Sequence, residues 1–214
     1  MRITTSIING RILKLLVIGC VCLVFAGIVW SGQRQNSQTD ISAVSSGSSK
    51  VDIELSRAAF LEAYKVFVSP RCANCHPGGD SPTQGDFLAV HAQNVVRGKD
   101  GKGVYGMRCN TCHQSENLPG EKMPPGVANW HMPPEDMKMV FQQRTPKQLC
   151  EQLKDPKMNG GRETLEEAVE HLEEDPLVHW AWDPGNGRTT PPISYKAFME
   201  SVREWVENGG ECPE

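Results

Sequence analysis

Positive charge is in short supply in this chain. Lys and Arg number 22 against 26 Asp and Glu among 214 residues. Arg2, Arg11 and Lys14 all sit in the N-terminal stretch, so the remainder carries 19 basic against 26 acidic residues, near −7. A surface of that sign argues against a nucleic-acid partner and favours a protein with a basic docking face. Hydrophobic residues are also sparse, at 38%, while Gly and Pro reach 20 and 15. A chain of that composition carries more loop and fewer aliphatic residues than its length would otherwise allow. The strand–helix alternation of a βαβ unit is missing, which removes a thioredoxin-like reading of any C-x-x-C pair. A clean A-x-A peptidase site is missing as well.

Cysteine, by contrast, is abundant, with eight residues, four of them in two copies of one pattern. CANCH covers Cys72 to His76 and CNTCH covers Cys109 to His113. C-x-x-C-H is the attachment pattern of c-type haem: two thiols add across the porphyrin vinyls and the adjoining imidazole ligates the iron. Two copies predict two haem c groups, held covalently by Cys72, Cys75, Cys109 and Cys112, with His76 and His113 as proximal iron ligands. One structural zinc shared by the four thiols is the competing reading, but the gap between the pairs exceeds that of the usual ribbon and both histidines would be left without a purpose. The first cysteines of the two motifs are 37 residues apart. That is too short for a complete cytochrome domain between them, so the haems should be close neighbours in one shared domain. Each haem would become part of the core, which accounts for the small share of aliphatic residues.

Ile12 to Trp30 is an apolar run of 19 residues interrupted only by Lys14, long enough to span a bilayer. With Arg2, Arg11 and Lys14 at its start, the positive-inside rule keeps the N-terminus in the cytoplasm and exports the rest of the chain. Residues 1–34 thus read as a signal anchor. A cleaved signal peptide is the alternative, and VIGC at Val17 to Cys20 leaves a lipoprotein box as the third. The Ser-, Gln- and Gly-rich residues 35–50 read as a flexible linker, and residues 51–214 as the dihaem domain.

Within that domain the periodicity predicts a helix over Val51–Val68, ended by Pro70, with Leu55, Ala58, Ala59, Leu61, Tyr64, Val66 and Phe67 on its apolar face. The segment between the motifs is rich in Gly, Pro and Asp and reads as loop. Thr145-Pro146-Lys147-Gln148 is a capping box with Pro at the first helical position, predicting a helix to Lys154. Thr164 with Glu167 predicts another over Leu165–Glu173, and Ser194 caps a last one, Tyr195–Asn208, stopped by Gly209. The expected fold class is all-α: a c-type cytochrome domain of short helices and long loops around two covalently bound haems.

Sixth ligands come from the remaining histidines and methionines. His91 is the first candidate because it lies in the loop that folds back after the first motif, where only Met107 also could ligate. His131, on the Pro-stiffened loop after the second motif, is the second, with His171 and Met132 behind it. His179 reads as packing. Cys150 and Cys212 stand outside the motifs, and in an exported domain two such cysteines pair.

The stretches CANCHPGGDSPTQGD, NVVRG, MRCNTCHQSEN, ANWHMPP, KDPKMNGGR, DPLVHWAW and WVENGGECP resemble the small exported dihaem proteins labelled "isoquinoline 1-oxidoreductase subunit". The resemblance covers about Ala59 to Pro213. It implies a periplasmic dihaem c-type cytochrome on the outer side of a bacterial inner membrane, passing electrons for a redox partner protein such as a molybdenum hydroxylase-type dehydrogenase. The residues read bottom-up give an electron carrier as the first function. A haem enzyme of peroxidase type and a gas-binding module are the alternatives, and both require an open sixth site.

Overall fold

The computed structural model describes residues 41–214; the expected anchor or signal and residues 35–40 of the expected linker lie outside the described residues. The described elements run α1 (Ile41–Phe67), α2 (Pro70–Ala73), β1 (Thr83–Gln84), β2 (Ala89–Val90), β3 (Gly103–Val104), β4 (Met107–Arg108), a 3-10 turn (Cys109–Thr111), α3 (Pro146–Lys154), α4 (Leu165–Glu174), α5 (Pro176–Trp180) and α6 (Tyr195–Glu207). Among the described residues no helix is long and apolar enough to cross a membrane.

The all-α expectation is corrected. The fold is mixed and mostly helical, because the loop between the motifs closes into two small antiparallel hairpins, Thr83 opposite Val90 and Gly103 opposite Arg108. The physical reason lies in the turn residues. Tyr105-Gly106 joins β3 to β4 with Gly106 at φ +85°, the left-handed conformation a type II turn needs at its third residue. Leu88 enters β2 from the same region, at φ +53°. Turn-forming glycines that suppress helix do not enforce irregular loop; they also nucleate short hairpins.

α1 begins at Ile41, so residues 41–50 of the expected linker are helical. Its buried side is Ala59, Phe60, Ala63, Val66 and Phe67, while Leu55 and Leu61 face solvent. The buried positions select the face that meets α6. The two helices run antiparallel: Phe60 packs on Trp205 at 4.9 Å and Phe67 on Phe198 at 5.3 Å. At roughly 1.5–3 kcal/mol for each fully buried large apolar side chain, these four aromatics are major contributors to the core. Ser56, fully buried, joins the same pair of elements by donating to the Trp205 carbonyl (2.8 Å) and accepting from the Glu211 amide (2.9 Å).

Both predicted capping boxes form. Gln148 N donates to Thr145 Oγ1 while Gln148 Oε1 accepts from Thr145 N, and Thr164 and Glu167 repeat the arrangement. Cys150 of α3 is disulfide-bonded to Cys212 beyond α6, with Cα atoms 5.6 Å apart. The tail of α6 is thereby fastened to α3, and Lys154 reinforces it by donating to the Gly210 carbonyl.

Candidate haem-attachment sites

The two C-x-x-C-H segments fold into the same turn. Cys75 N and His76 N both donate to the Cys72 carbonyl (3.1 and 3.2 Å), and Cys112 N and His113 N both donate to the Cys109 carbonyl (3.2 and 2.9 Å). The first turn is started by Pro70 at the head of α2, the second by the extended Arg108 entering the 3-10 turn. In each case a tight i to i+4 closure holds the histidine against the first cysteine. The middle residue Asn74 fixes the first turn to hairpin β1–β2, accepting from Thr83 N and Oγ1 and donating to Gly85 O.

Each motif histidine is oriented through Nδ1. His76 Nδ1 donates to the Met139 carbonyl (2.7 Å) and His113 Nδ1 to the Pro125 carbonyl (2.6 Å). A carbonyl can only accept, so the proton resides on Nδ1 and the lone pair on Nε2, the tautomer of a metal-binding imidazole with a fixed second partner. Each ring also lies flat on an aromatic: His76 on Phe141 at 3.9 Å and 5°, His113 on Trp130 at 4.4 Å and 2°. Burial brings His76 down to about 4, outweighing the hydrogen bond to Met139. His113 is lowered by burial too. Both rings stay neutral at physiological pH, as ligation requires.

The thiols behave differently from a reactive pair. Burial pushes Cys72 up to about 12 and Cys75 up to about 11, and Cys109 is raised for the same reason. Reactive C-x-x-C thiols have lowered values, so these cysteines lack the electrostatics of a redox dithiol. Among the described residues no three His, Cys, Asp or Glu side chains converge as a metal-ion site would require. The two motifs are nonetheless neighbours, since Trp130 lines one cavity together with Cys72, Cys75 and His76 and stacks on His113.

A cavity of about 380 Å³ opens beside the first motif, lined by Cys72, Cys75 and His76 on one side and by aliphatic and aromatic side chains from α4, α5 and α6 on the other. His131 and His171 line the same cavity, as do Met137 and Met139. His131 is held by Nδ1 donating to Asn129 O (2.6 Å), and His171 Nδ1 lies 3.7 Å from Asp175 Oδ2. Trp130 lines this cavity with one part of its ring system while its face covers His113, and Trp180 meets it edge-on at 4.9 Å. A largely apolar space lined by thiols and an imidazole is what a covalently attached porphyrin requires. The residues at the first motif thus fit a haem.

The predicted sixth ligands fall at different places. His91 does not line the first cavity; its ring stands 6.2 Å from that of His113 at an angle of 64°. His131, from the loop after the second motif, lies at the first. Met132 is buried, and its amide donates to Gly101 O (2.9 Å). Met107 is exposed on β4. His179 is exposed, packs near Tyr195 and hydrogen-bonds Glu173 O.

Several residues that belong to no sequence motif hold the sites together. Arg97, 1% exposed, donates Nη2 to Gly79 O (2.7 Å) and Nη1 to Pro133 O (3.0 Å), joining the loop after the first motif to the loop that carries His131. Asn117 Oδ1 accepts from Gly126 N and Trp180 Nε1, both at 3.0 Å, which ties the loop supplying the Pro125 carbonyl to the aromatic patch. An Arg set between Val96 and Gly98 is the one sequence signal for the first. Asn117 offers none, because its partners are up to 66 residues away.

Compared with family models, curated proteins and solved structures, the chain matches none.

Proposed function

We propose that this chain is an exported dihaem c-type cytochrome that carries single electrons between a redox enzyme or membrane donor and an acceptor protein. The observation that carries the reading is the paired arrangement of the two motifs: in each, a C-x-x-C-H turn presents an imidazole whose Nδ1 is bound to a main-chain carbonyl and whose Nε2 is left for iron. Cys72, Cys75, Cys109 and Cys112 would hold the two haems covalently, with His76 and His113 as proximal ligands. When bound, haem supplies one-electron ferric–ferrous chemistry. The protein's own work is positional: Met139 and Pro125 orient the imidazoles, Phe141 and Trp130 cover them, and the apolar side chains of α4 to α6 keep water from the first site. The net negative charge favours a partner with a basic face.

The Cys150–Cys212 disulfide supports an oxidising compartment, in keeping with the anchor or signal expected at residues 1–34 and a periplasmic location. The resemblance to the exported dihaem family adds a dehydrogenase of molybdenum hydroxylase type as a candidate donor.

Production in a bacterium with a c-type maturation system, followed by a pyridine haemochrome assay and intact mass, tests the reading. Two covalent haems per chain are expected, falling to one in a Cys72→Ala/Cys75→Ala variant. A chain that leaves the periplasm without covalent haem would overturn it. Two low-spin haems fit a carrier, whereas a high-spin haem that binds carbon monoxide fits the peroxidase or gas-binding alternative.

A further inference from the structure

From the arrangement of the imidazoles we infer that the haem ligands are crossed between the loops: His91, from the loop after the first motif, is the sixth ligand of the second-motif haem opposite His113, while the first haem draws on His131 or His171. The inference rests on the dihaem reading and deepens it. Iron bound between two imidazoles, about 2 Å from each nitrogen, sets the ring centres roughly 6 Å apart. The His91 and His113 rings stand 6.2 Å apart. Edge-to-face packing spans the same distance, but the His91 ring is only half-buried and no hydrogen bond to its Nδ1 forms among the described residues, so the ring keeps a nitrogen free for a ligand placed between it and His113.

The backbone explains how an early loop reaches the later motif. His91 comes directly after β2, and its amide donates to Pro82 O (3.1 Å) across the foot of hairpin β1–β2. That hairpin is anchored to the first motif through Asn74, so one hairpin joins the first turn to the proposed ligand of the second haem. The complementary half of the crossing is visible at the first cavity, whose lining includes His131 and His171 and excludes His91. Arg97 and Gly101 hold the returning loop in place. The order of the residues along the chain would pair each motif with the next histidine after it; the hairpins exchange them.

The test uses the full mature protein with both haems, studied by low-temperature electron paramagnetic resonance and near-infrared magnetic circular dichroism. His91→Ala is expected to convert one of the two low-spin haems to a high-spin, carbon monoxide-binding form, with added imidazole restoring the low-spin signal. In a Cys72→Ala/Cys75→Ala background, which keeps only the second haem, the same substitution should leave no low-spin iron. In a Cys109→Ala/Cys112→Ala background it should leave the remaining spectrum unchanged. His91→Met, which preserves a ligand should the alanine variant fail to fold, should give a thioether–iron band and raise one haem's reduction potential. Two covalent haems that both stay low-spin with unaltered potentials in His91→Ala would overturn the crossing alone, as would conversion of the first-motif haem. A chain with no covalent haem would overturn the dihaem reading itself and the crossing with it.

Discussion

Gly101 shows how much of the site depends on single residues that carry no chemistry. It sits at φ +72°, and a Cβ placed there would stand 1.9 Å from the Met132 carbonyl oxygen. Its own carbonyl accepts from Met132 N, so the strand of chain bearing His131 lies directly against it. Gly101→Ala forces both a left-handed alanine and a displaced loop. Left-handed strain alone costs on the order of 1–3 kcal/mol, so a loss of about 2 kcal/mol or more is expected in the urea midpoint of the purified protein. Were the stability unchanged, the contact with Met132 would not be a tight one. Arg97 belongs to the same class of residue. Its guanidinium is spent on carbonyls of two loops, and burial lowers its pKa against the opposing pull of Asp80.

Hairpin β3–β4 is the element that delivers the chain into the second motif, and it is pinned at its base by one carboxylate. Asp100 accepts from Arg108 through both oxygens (3.1 and 2.7 Å) and from the Lys102 amide (3.0 Å). These bonds, that to Arg108 first, lower the Asp100 carboxyl to about 2. A group whose folded pKa is depressed stabilises the fold above its unfolded value and loses that contribution as pH falls through the folded one. The Lys102 amide resonance should therefore titrate with a midpoint near 2 in a pH series followed by heteronuclear NMR. A midpoint near the ordinary value of about 4 would show the Arg108 pairing to be weak in solution. The hairpins also illustrate what was legible at this scale. Three helices could be placed within a residue or two at their ends, because capping boxes and a Ser N-cap are local signals. The two-residue strands could not, because their pairing is decided by turn geometry and by what the turns pack against.

For the whole molecule, the decisive closure is the Cys150–Cys212 bond, which spans 62 residues. α4, α5 and α6 all lie inside that loop, and with them the far wall of the first cavity. On the chain-entropy account a loop of this length is worth about 4 kcal/mol. Cys150→Ala/Cys212→Ala should lower thermal stability by roughly that amount, read by calorimetry, and on the dihaem proposal the loss should reach the first site before the second as its cavity wall loosens. Reduction of the wild-type protein should reproduce the effect. An unchanged transition would mean that α1–α6 packing, through Phe60–Trp205 and Phe67–Phe198, holds the tail without help.

The two C-x-x-C-H motifs, the capped helices and the pairing of Cys150 with Cys212 were legible in the sequence alone, because each is written in residues a few positions apart or, for the disulfide, in the two cysteines of the expected exported domain that stand outside the motifs. Tertiary structure alone decided the rest. That the His91 ring lies beside His113 and His131 lines the first cavity, which face of α1 is buried, and where the two hairpins close depend on contacts across tens of residues, where turn geometry and packing act together and no local pattern records the outcome.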